Sequence, residues 1–558
     1  MVMGTTTSGL KSIIVFLALS MAPGISLTAQ AAYQTIHNDF FWYDQDGVVI
    51  KTRSGCLRKF NNVYYWYGSP VSSRSMDQMC YSSTDMIHWT NKGVVLHLTV
   101  ETNRMDVLYN DATKKYVMFL KYNSNAAFLG IATATAPDGQ FTFLSQTLVG
   151  GAKIGDMSMY KDDDGKAYLA YVWDSTGSNR QHGIYLMSSD YLTLDKRIYL
   201  WDIHSREAPH IFKRSGTYYY GVSETNGIQP SPTRYYTATD LSGPWTAPVM
   251  LVTPGSSTTY ETQCDFVLPF TGTKGTFFMM GADRWIPTGP KQGDYVWMPM
   301  EFNAAGNPTM NYYQDWDFDL NAGTWRPFDY SSNLALHKTA TASSVNGANA
   351  ANNVTDSTTY LTYVNYRWES AASDPQWIMV DLGAQKDINR VILKWHTNYA
   401  KAFQIQTSTT STTWTDVYST TKGASYSATD VAFNKTSARY VRMNGTQRGT
   451  TNGYSLFAFM VLNDSSITPV TLSPEKKLVS SGLSLGCRNN TVDYSLPVGT
   501  IVKLEAFDAR GKLVAVLAEG FRRCGSHTVT LPAELSKGLV IVRLTEGSES
   551  AAATIFRP

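Results

Sequence analysis

A short aromatic strand occurs five times along this chain, and its spacing restricts the fold more than any other feature. The copies are Tyr64-Tyr65-Trp66-Tyr67-Gly68, Tyr116-Val117-Met118-Phe119, Tyr168-Leu169-Ala170-Tyr171, Tyr218-Tyr219-Tyr220-Gly221 and Phe277-Phe278-Met279-Met280-Gly281, their first residues 52, 52, 50 and 59 positions apart. Turn residues precede most copies, as in Asp162-Asp163-Asp164-Gly165 and Ser215-Gly216. Further hairpins follow, with Ser83-Thr84-Asp85, Ser188-Ser189-Asp190 and Ala238-Thr239-Asp240 at their turns. A repeat of about fifty residues built from short strands is the mark of a β-propeller, and five copies predict five blades. A helical solenoid of similar period would show 3.6-residue patterning, which is absent.

The first strand of each propeller blade lines the central axis, so its side chains converge from distant parts of the sequence. Just upstream of the aromatic strands, polar residues occupy comparable places. Asn103 and Arg104 lie 13 and 12 positions before Tyr116, Asp156 12 before Tyr168, Glu207 11 before Tyr218 and Gln263 14 before Phe277. Two acids, an arginine and an amide around one axis are parts for glycoside hydrolysis. A carboxylic acid protonates the leaving oxygen, a neighbouring carboxylate raises that acid's pKa, and a group roughly 6.5–9.5 Å away positions water if the reaction inverts. Any one of these polar residues alone reads more simply as a turn or blade-edge group satisfying backbone; several in register favour chemistry. On a regular strand, Glu261 and Asp265 share a face with Gln263, which leaves open whether an amide or a carboxylate handles the water.

The totals exclude other classes. A chain of 558 residues exceeds one core. A net charge of +2 gives no reason to expect nucleic acid or an anionic membrane as partner. Lys11 followed by the apolar run 13–22 and Ala29-Gln30-Ala31 reads as a signal peptide over residues 1–31, with no later membrane span and export as the expectation. Of the 5 cysteines, Cys487 and Cys524 fall in one C-terminal module where they can pair, while Cys56, Cys80 and Cys264 form an odd set. No spacing suggests a dedicated metal cluster, and no cofactor is required for the chemistry above.

Residues 36–327 resemble glycoside hydrolase family 43, and within it the branch of exo-β-1,3-galactanases. The likeness rests on the first aromatic strand, Arg104 with Val107-Leu108-Tyr109-Asn110, Gly155-Asp156-Met157, Arg206-Glu207-Ala208-Pro209, Gly243-Pro244-Trp245, Gln263 before Phe266-Val267-Leu268-Pro269, Asp283-Arg284-Trp285 and Tyr295-Val296-Trp297-Met298-Pro299. The resemblance implies Glu207 as general acid, Asp156 as the residue that tunes and orients it, and Gln263 as the holder of the attacking water. It implies sugar contacts for Asn103, Arg104, Asn179, Thr225, Asp283 and Trp285. Three departures stand out: Ser69 and Asn103 where relatives carry glutamate, and Ser54-Gly55-Cys56 in place of a His-Gly-Gly stretch. The implied substrate is a plant-type galactan or arabinogalactan, cleaved from its end with inversion. The α-L-arabinofuranosidase or β-xylosidase activities common in the family, or a catalytically weak sugar-binding surface protein, are the alternatives.

Composition shifts near residue 330. Residues 331–464 alternate Ser/Thr-rich strands with turns and resemble the discoidin (coagulation factor 5/8 C-terminal) fold of family 32 carbohydrate-binding modules. Tyr363, Tyr366, Arg367 and Trp368 are its candidate sugar contacts, and a structural calcium beside Asn353 and Asp356 is a further expectation, although carboxylates are few there. After a linker over 465–477, residues 478–558 look like bacterial C-terminal sorting or attachment domains. The expected architecture is therefore all-β: a five-bladed β-propeller over 32–330, a discoidin-like β-sandwich and a small C-terminal β-sandwich. The protein is expected to be a monomer, secreted or held at the cell surface.

Overall fold

The computed structural model describes residues 30–468, except 32, 71–73, 123–126, 175–179, 204, 227–228, 286–290 and 357–365, and most of 484–557. The chain divides into two compact units, residues 1–470 and 471–558.

Within the first unit, each aromatic repeat is the second strand of an antiparallel sheet. Ala167–Asp174, Thr217–Glu224 and Thr276–Asp283 follow the inner strands Lys153–Lys161, Arg206–Arg214 and Gln263–Thr271 in three separate four-stranded sheets. The first two blades are joined because Thr90–Asn110 closes blade one with its first half and opens blade two with its second. The five inner strands, 53–60, 102–110, 153–161, 206–214 and 263–271, each contact the next, and the last contacts the first. That closed ring is the propeller axis.

The ring explains why the repeats are aromatic on successive residues and not merely on alternate ones. A blade packs between two neighbours, so both faces of its strands are buried. Trp66 joins Phe266 and Trp297 of blade five, whereas Tyr67 joins Val107 and Met118 of blade two. Equivalent clusters fill the other seams: Phe119 with Leu169, Trp201 with Tyr220, and Phe212 with Phe278. Cys56, Cys80 and Cys264 are free thiols buried in these seams.

Behind the propeller, Gln376–Trp395 and Ala428–Arg448 pair along their length, with register breaks that carry one hydrogen-bonded network around a core containing Trp368, Ile378, Trp395, Phe403 and Phe459. This discoidin-like sandwich docks on the sheet formed by Gln34–His37, Asp315–Asp319 and Thr324–Pro327. The junction is ionic. Lys394 Nζ lies 2.6 Å from Asp315 Oδ1, with side-chain exposures of 0% and 1%. Arg390 reaches Asp430 at 2.5 Å, Asp464 at 3.0 Å and Thr35 Oγ1 at 2.5 Å. Burial alone would raise the Asp315 carboxyl; Lys394 and His37 outweigh it and hold the group far below the usual carboxylate range.

The second unit has a three-stranded sheet (Ser484–Arg488, Thr491–Leu496, Gly525–Thr530) and a four-stranded one (Thr500–Asp508, Leu513–Arg522, Gly538–Glu546, Glu549–Arg557) around Tyr494, Leu504 and Val542. Residues 1–29, Cys524 and most of the expected linker lie outside the described residues. No described helix is long and apolar enough to cross a membrane.

Removing one partner of a buried ion pair strands the other, at a cost of about 3–5 kcal/mol. Lys394→Met is therefore expected to lower the thermal midpoint by several degrees, and adding Asp315→Leu to recover part of the loss. Calorimetry checks both.

Candidate active site

All five inner strands are interrupted at one level. Their register with the second strand shifts between Arg53 and Cys56, Asn103 and Met105, Ile154 and Met157, Glu207 and His210, and Cys264 and Phe266. A bulge places an extra residue on one strand and re-aims the side chains beside it. Here the bulges hold Ser54, Arg104, Asp156, Ala208 and Asp265, and Ser54, Arg104 and Ala208 have φ of 53°, 45° and 52°. Pro209, with no N–H to give a ladder, and Gly55 and Gly155 suit such breaks.

Arg104 stands at the centre, 6% exposed. Its Nη1 donates to Asp265 Oδ1 at 2.6 Å, its Nη2 to Gln263 Oε1, and its Nε lies 3.3 Å from Asp156 Oδ2. A guanidinium has no acceptor, so its partner on Gln263 is the carbonyl oxygen and the amide orientation follows. Gln263 Nε2 then donates to Glu207 Oε1 at 2.8 Å and to Ser223 Oγ at 3.1 Å, so the expected water-holding amide touches the acid instead of standing roughly 6.5–9.5 Å from it. Asp156 Oδ2 also accepts the backbone N–H of Ala208 at 3.2 Å, and Lys121 Nζ stands 3.9 Å from its other oxygen. Burial would lower the Arg104 pKa, but Asp156, Asp265, Asp283 and Glu207 together raise it, so the cation persists.

The structure thus brings Glu207, Asp156, Gln263 and Arg104 together from four blades. Blade one contributes the Ser54 N–H, which donates to Asp283 Oδ2 at 2.7 Å. Asp283, expected at the sugar, is only 1% exposed and faces Asp265. Thr225 and Asn103 each keep a buried side-chain oxygen without a hydrogen-bond partner, as does Ser69. Trp285 is half-buried with the Arg53 guanidinium 5.3 Å from its ring centroid, and Asn179 lies outside the described residues. Glu261 is not on the strand: it ends a 3-10 turn, Thr259–Glu261, and pairs with Lys291 at 3.4 Å. Ser223, cross-strand from Glu207, has no distinguishing sequence context and emerges only from the pairing register.

In the sandwich, Trp368 is a core residue and not a sugar platform. It is fully buried, and its indole N–H donates to Ser344 O at 3.0 Å because the apolar strands close around it. Arg367 pairs with Glu369 at 2.7 Å, Tyr366 is exposed and donates to Asp356 Oδ2, and Tyr363 lies outside the described residues. Asn353 turns its amide nitrogen, a donor that cannot ligate a cation, toward Arg367 O at 2.9 Å. Among the described residues no group of three or more His, Cys, Asp or Glu gathers as a metal site.

Two family models match the chain. The family model for glycosyl hydrolases family 43 matches residues 55–263, and that for the F5/8 type C domain matches residues 339–459. The chain carries a family 43 glycoside hydrolase domain followed by an F5/8 type C domain. Its fold is similar to that of the exo-β-1,3-galactanase of Phanerochaete chrysosporium, solved with β-1,3-galactotriose, at 21% identity over 77% of this chain and 100% of that one, TM-score 0.50. An exo-β-1,3-galactanase from Clostridium thermocellum shows 22% identity over 77% of this chain and 100% of its own, TM-score 0.49. A chitosan-binding module from Paenibacillus sp. IK-5 shares 47% identity over 24% of this chain and 98% of its own, TM-score 0.22. No curated protein matches the chain.

The bulge carrying Glu207 rests on His210, whose ring nitrogens lie 3.1 Å from Ala208 O and 3.1 Å from Tyr235 Oη. Gly221 permits this approach, since a Cβ there would stand 2.1 Å from His210 Nε2. Burial above all holds the imidazole at about 4, below its ordinary 6.5. Folding therefore favours the neutral ring, and this contribution is full above pH 6.5 and lost as pH falls toward 4. Wild-type stability is expected to decline over that window by up to about 1.4 kcal/mol per pH unit from this group. Denaturant titrations of His210→Gln should show a lower stability at pH 7 and a shallower slope below it.

Proposed function

We propose that this chain is an exo-acting, inverting glycoside hydrolase of β-1,3-galactan or related plant side chains. The observation that carries the reading is the Asp156–Arg104–Gln263–Glu207 chain of contacts, which gathers an acid, a second carboxylate and an amide at one level of the propeller axis. Glu207 protonates the departing glycosidic oxygen. Asp156, bound to the backbone just after Glu207, orients it and by its charge favours the protonated form. Gln263, with its amide fixed by Arg104 and Ser223, presents its carbonyl oxygen to the attacking water. Arg104, Asn103, Thr225 and Trp285 border the sugar.

The galactan assignment comes from the motif resemblance, and Ser69 and Asn103 qualify it. Both positions lack the glutamates that grip galactose hydroxyls in relatives, and both leave an oxygen unpartnered and able to meet a ligand hydroxyl. At Ser69 and Asn103 the terminal sugar thus meets neutral groups in place of carboxylates. The F5/8 type C domain retains the polysaccharide near the catalytic unit through Tyr366 and its neighbours, and the signal segment and C-terminal unit direct export and attachment.

Two measurements test this. Glu207→Gln should lower hydrolysis of β-1,3-galactan by about a thousandfold, within the 10²–10⁴ range of general acid catalysis, with binding retained; unchanged release of sugar would end the assignment. Tyr366→Ala should weaken retention on insoluble galactan without altering its melting temperature, whereas Trp368→Ala should lower the melting temperature.

A further inference from the structure

An inverting hydrolysis must also place the proton that leaves the water, and Gln263 is poorly suited to keep it. Its nitrogen already donates to Glu207 and Ser223, and a neutral amide oxygen is a weak base. We propose that Asp265 accepts this proton, with Gln263 acting as the positioning residue; the proposal rests on the reading of Glu207 as the acid.

Three observations carry it. Arg104 presents Nη2 to Gln263 Oε1 and Nη1 to Asp265 Oδ1. The two nitrogens belong to one rigid planar group, so the two acceptor oxygens lie side by side, and a water held by Gln263 Oε1 is adjacent to Asp265. Secondly, the bulge between Cys264 and Phe266 breaks strand alternation at Asp265, and the carboxylate lines the same axis as Asp156 and Glu207. Thirdly, Asp265 faces Asp283, and both are nearly excluded from solvent. Burial first, and for Asp265 the charge of Asp283 next, raises its pKa well above the ordinary value, while Arg104 and Arg53 oppose the rise. The hydrogen bond between the two carboxyls raises Asp265 and lowers Asp283, and the pair lies between Arg104 and the Ser54 N–H.

The step balances without a further reactant. A lone pair of the water oxygen forms the bond to the anomeric carbon, and the electrons of the glycosidic bond pass to the leaving oxygen, which takes the proton of Glu207. The proton of the water passes to Asp265 as the proton that Asp265 shares with Asp283 moves across to Asp283. Transfer of that proton through solvent back to Glu207 restores the enzyme.

The acid and the acceptor differ in their dependence on the leaving group. On 2,4-dinitrophenyl β-galactoside, whose aglycone needs no protonation, Glu207→Gln should retain most of the wild-type kcat. Asp265→Asn, which preserves the shape and an oxygen for Arg104, should lose about a thousandfold in kcat with KM little changed, and the acidic limb of kcat/KM against pH should disappear. Azide should restore at least tenfold of the rate of Asp265→Ala, with an α-galactosyl azide as product. An Asp265→Asn enzyme within tenfold of wild type, or one that retains the acidic limb, would overturn the proposal. Wild-type hydrolysis of galactan by Glu207→Gln would instead remove the acid assignment beneath it.

Discussion

Arg104 is the interaction on which the catalytic half of this molecule depends. It is a buried cation that touches a carboxylate of blade three, an amide and a carboxylate of blade five, and lies within the field of Glu207 in blade four. Each acceptor is itself buried or half-buried and would be costly to leave without a donor. One guanidinium therefore serves several strands that have no covalent reason to meet. Its rigidity matters as much as its charge, because the fork geometry sets which end of the Gln263 amide faces Glu207.

The backbone makes room for this centre by giving up ladder regularity at one level of all five inner strands. A propeller built from uninterrupted strands would send alternate side chains into the seams between blades, where the aromatic clusters already fill the space. The bulges turn polar side chains toward the axis without disturbing those clusters. Their local strain, visible in the positive φ of Ser54, Arg104 and Ala208, is offset by buried supports such as His210 beneath Ala208. The second anchor of the unit is the ionic junction of His37, Asp315, Lys394, Arg390 and Asp430, which ties propeller to sandwich with side chains from both.

Much of this was legible in the sequence because it depends on period. The five aromatic strands marked the blades, and counting back from them located Arg104, Asp156, Glu207 and Gln263. What failed were inferences that assumed regular strands or read a side chain without its surroundings. Alternation grouped Glu261 with Gln263, but a 3-10 turn removes Glu261 from the strand. Trp368 carries the residue type of a sugar platform, yet the strands around it close and bury it. Ser223 was invisible because a serine on a strand has no signature until the one-residue shift at Ala208-Pro209 is known. Asp283, expected at the sugar, is buried and faces Asp265, which its sequence context does not reveal.

The central claim is that these groups catalyse single displacement at the end of a β-linked chain. Proton NMR of the first minutes of digestion of methyl β-1,3-galactobioside reports it directly, because its reducing end is blocked, the only free galactose comes from the cleaved end, and mutarotation of that galactose is slower than a competent enzyme. The account predicts that the α-anomer of galactose appears first and the β-anomer grows in afterwards. Initial accumulation of β-galactose, or intact disaccharide after prolonged incubation, would contradict it.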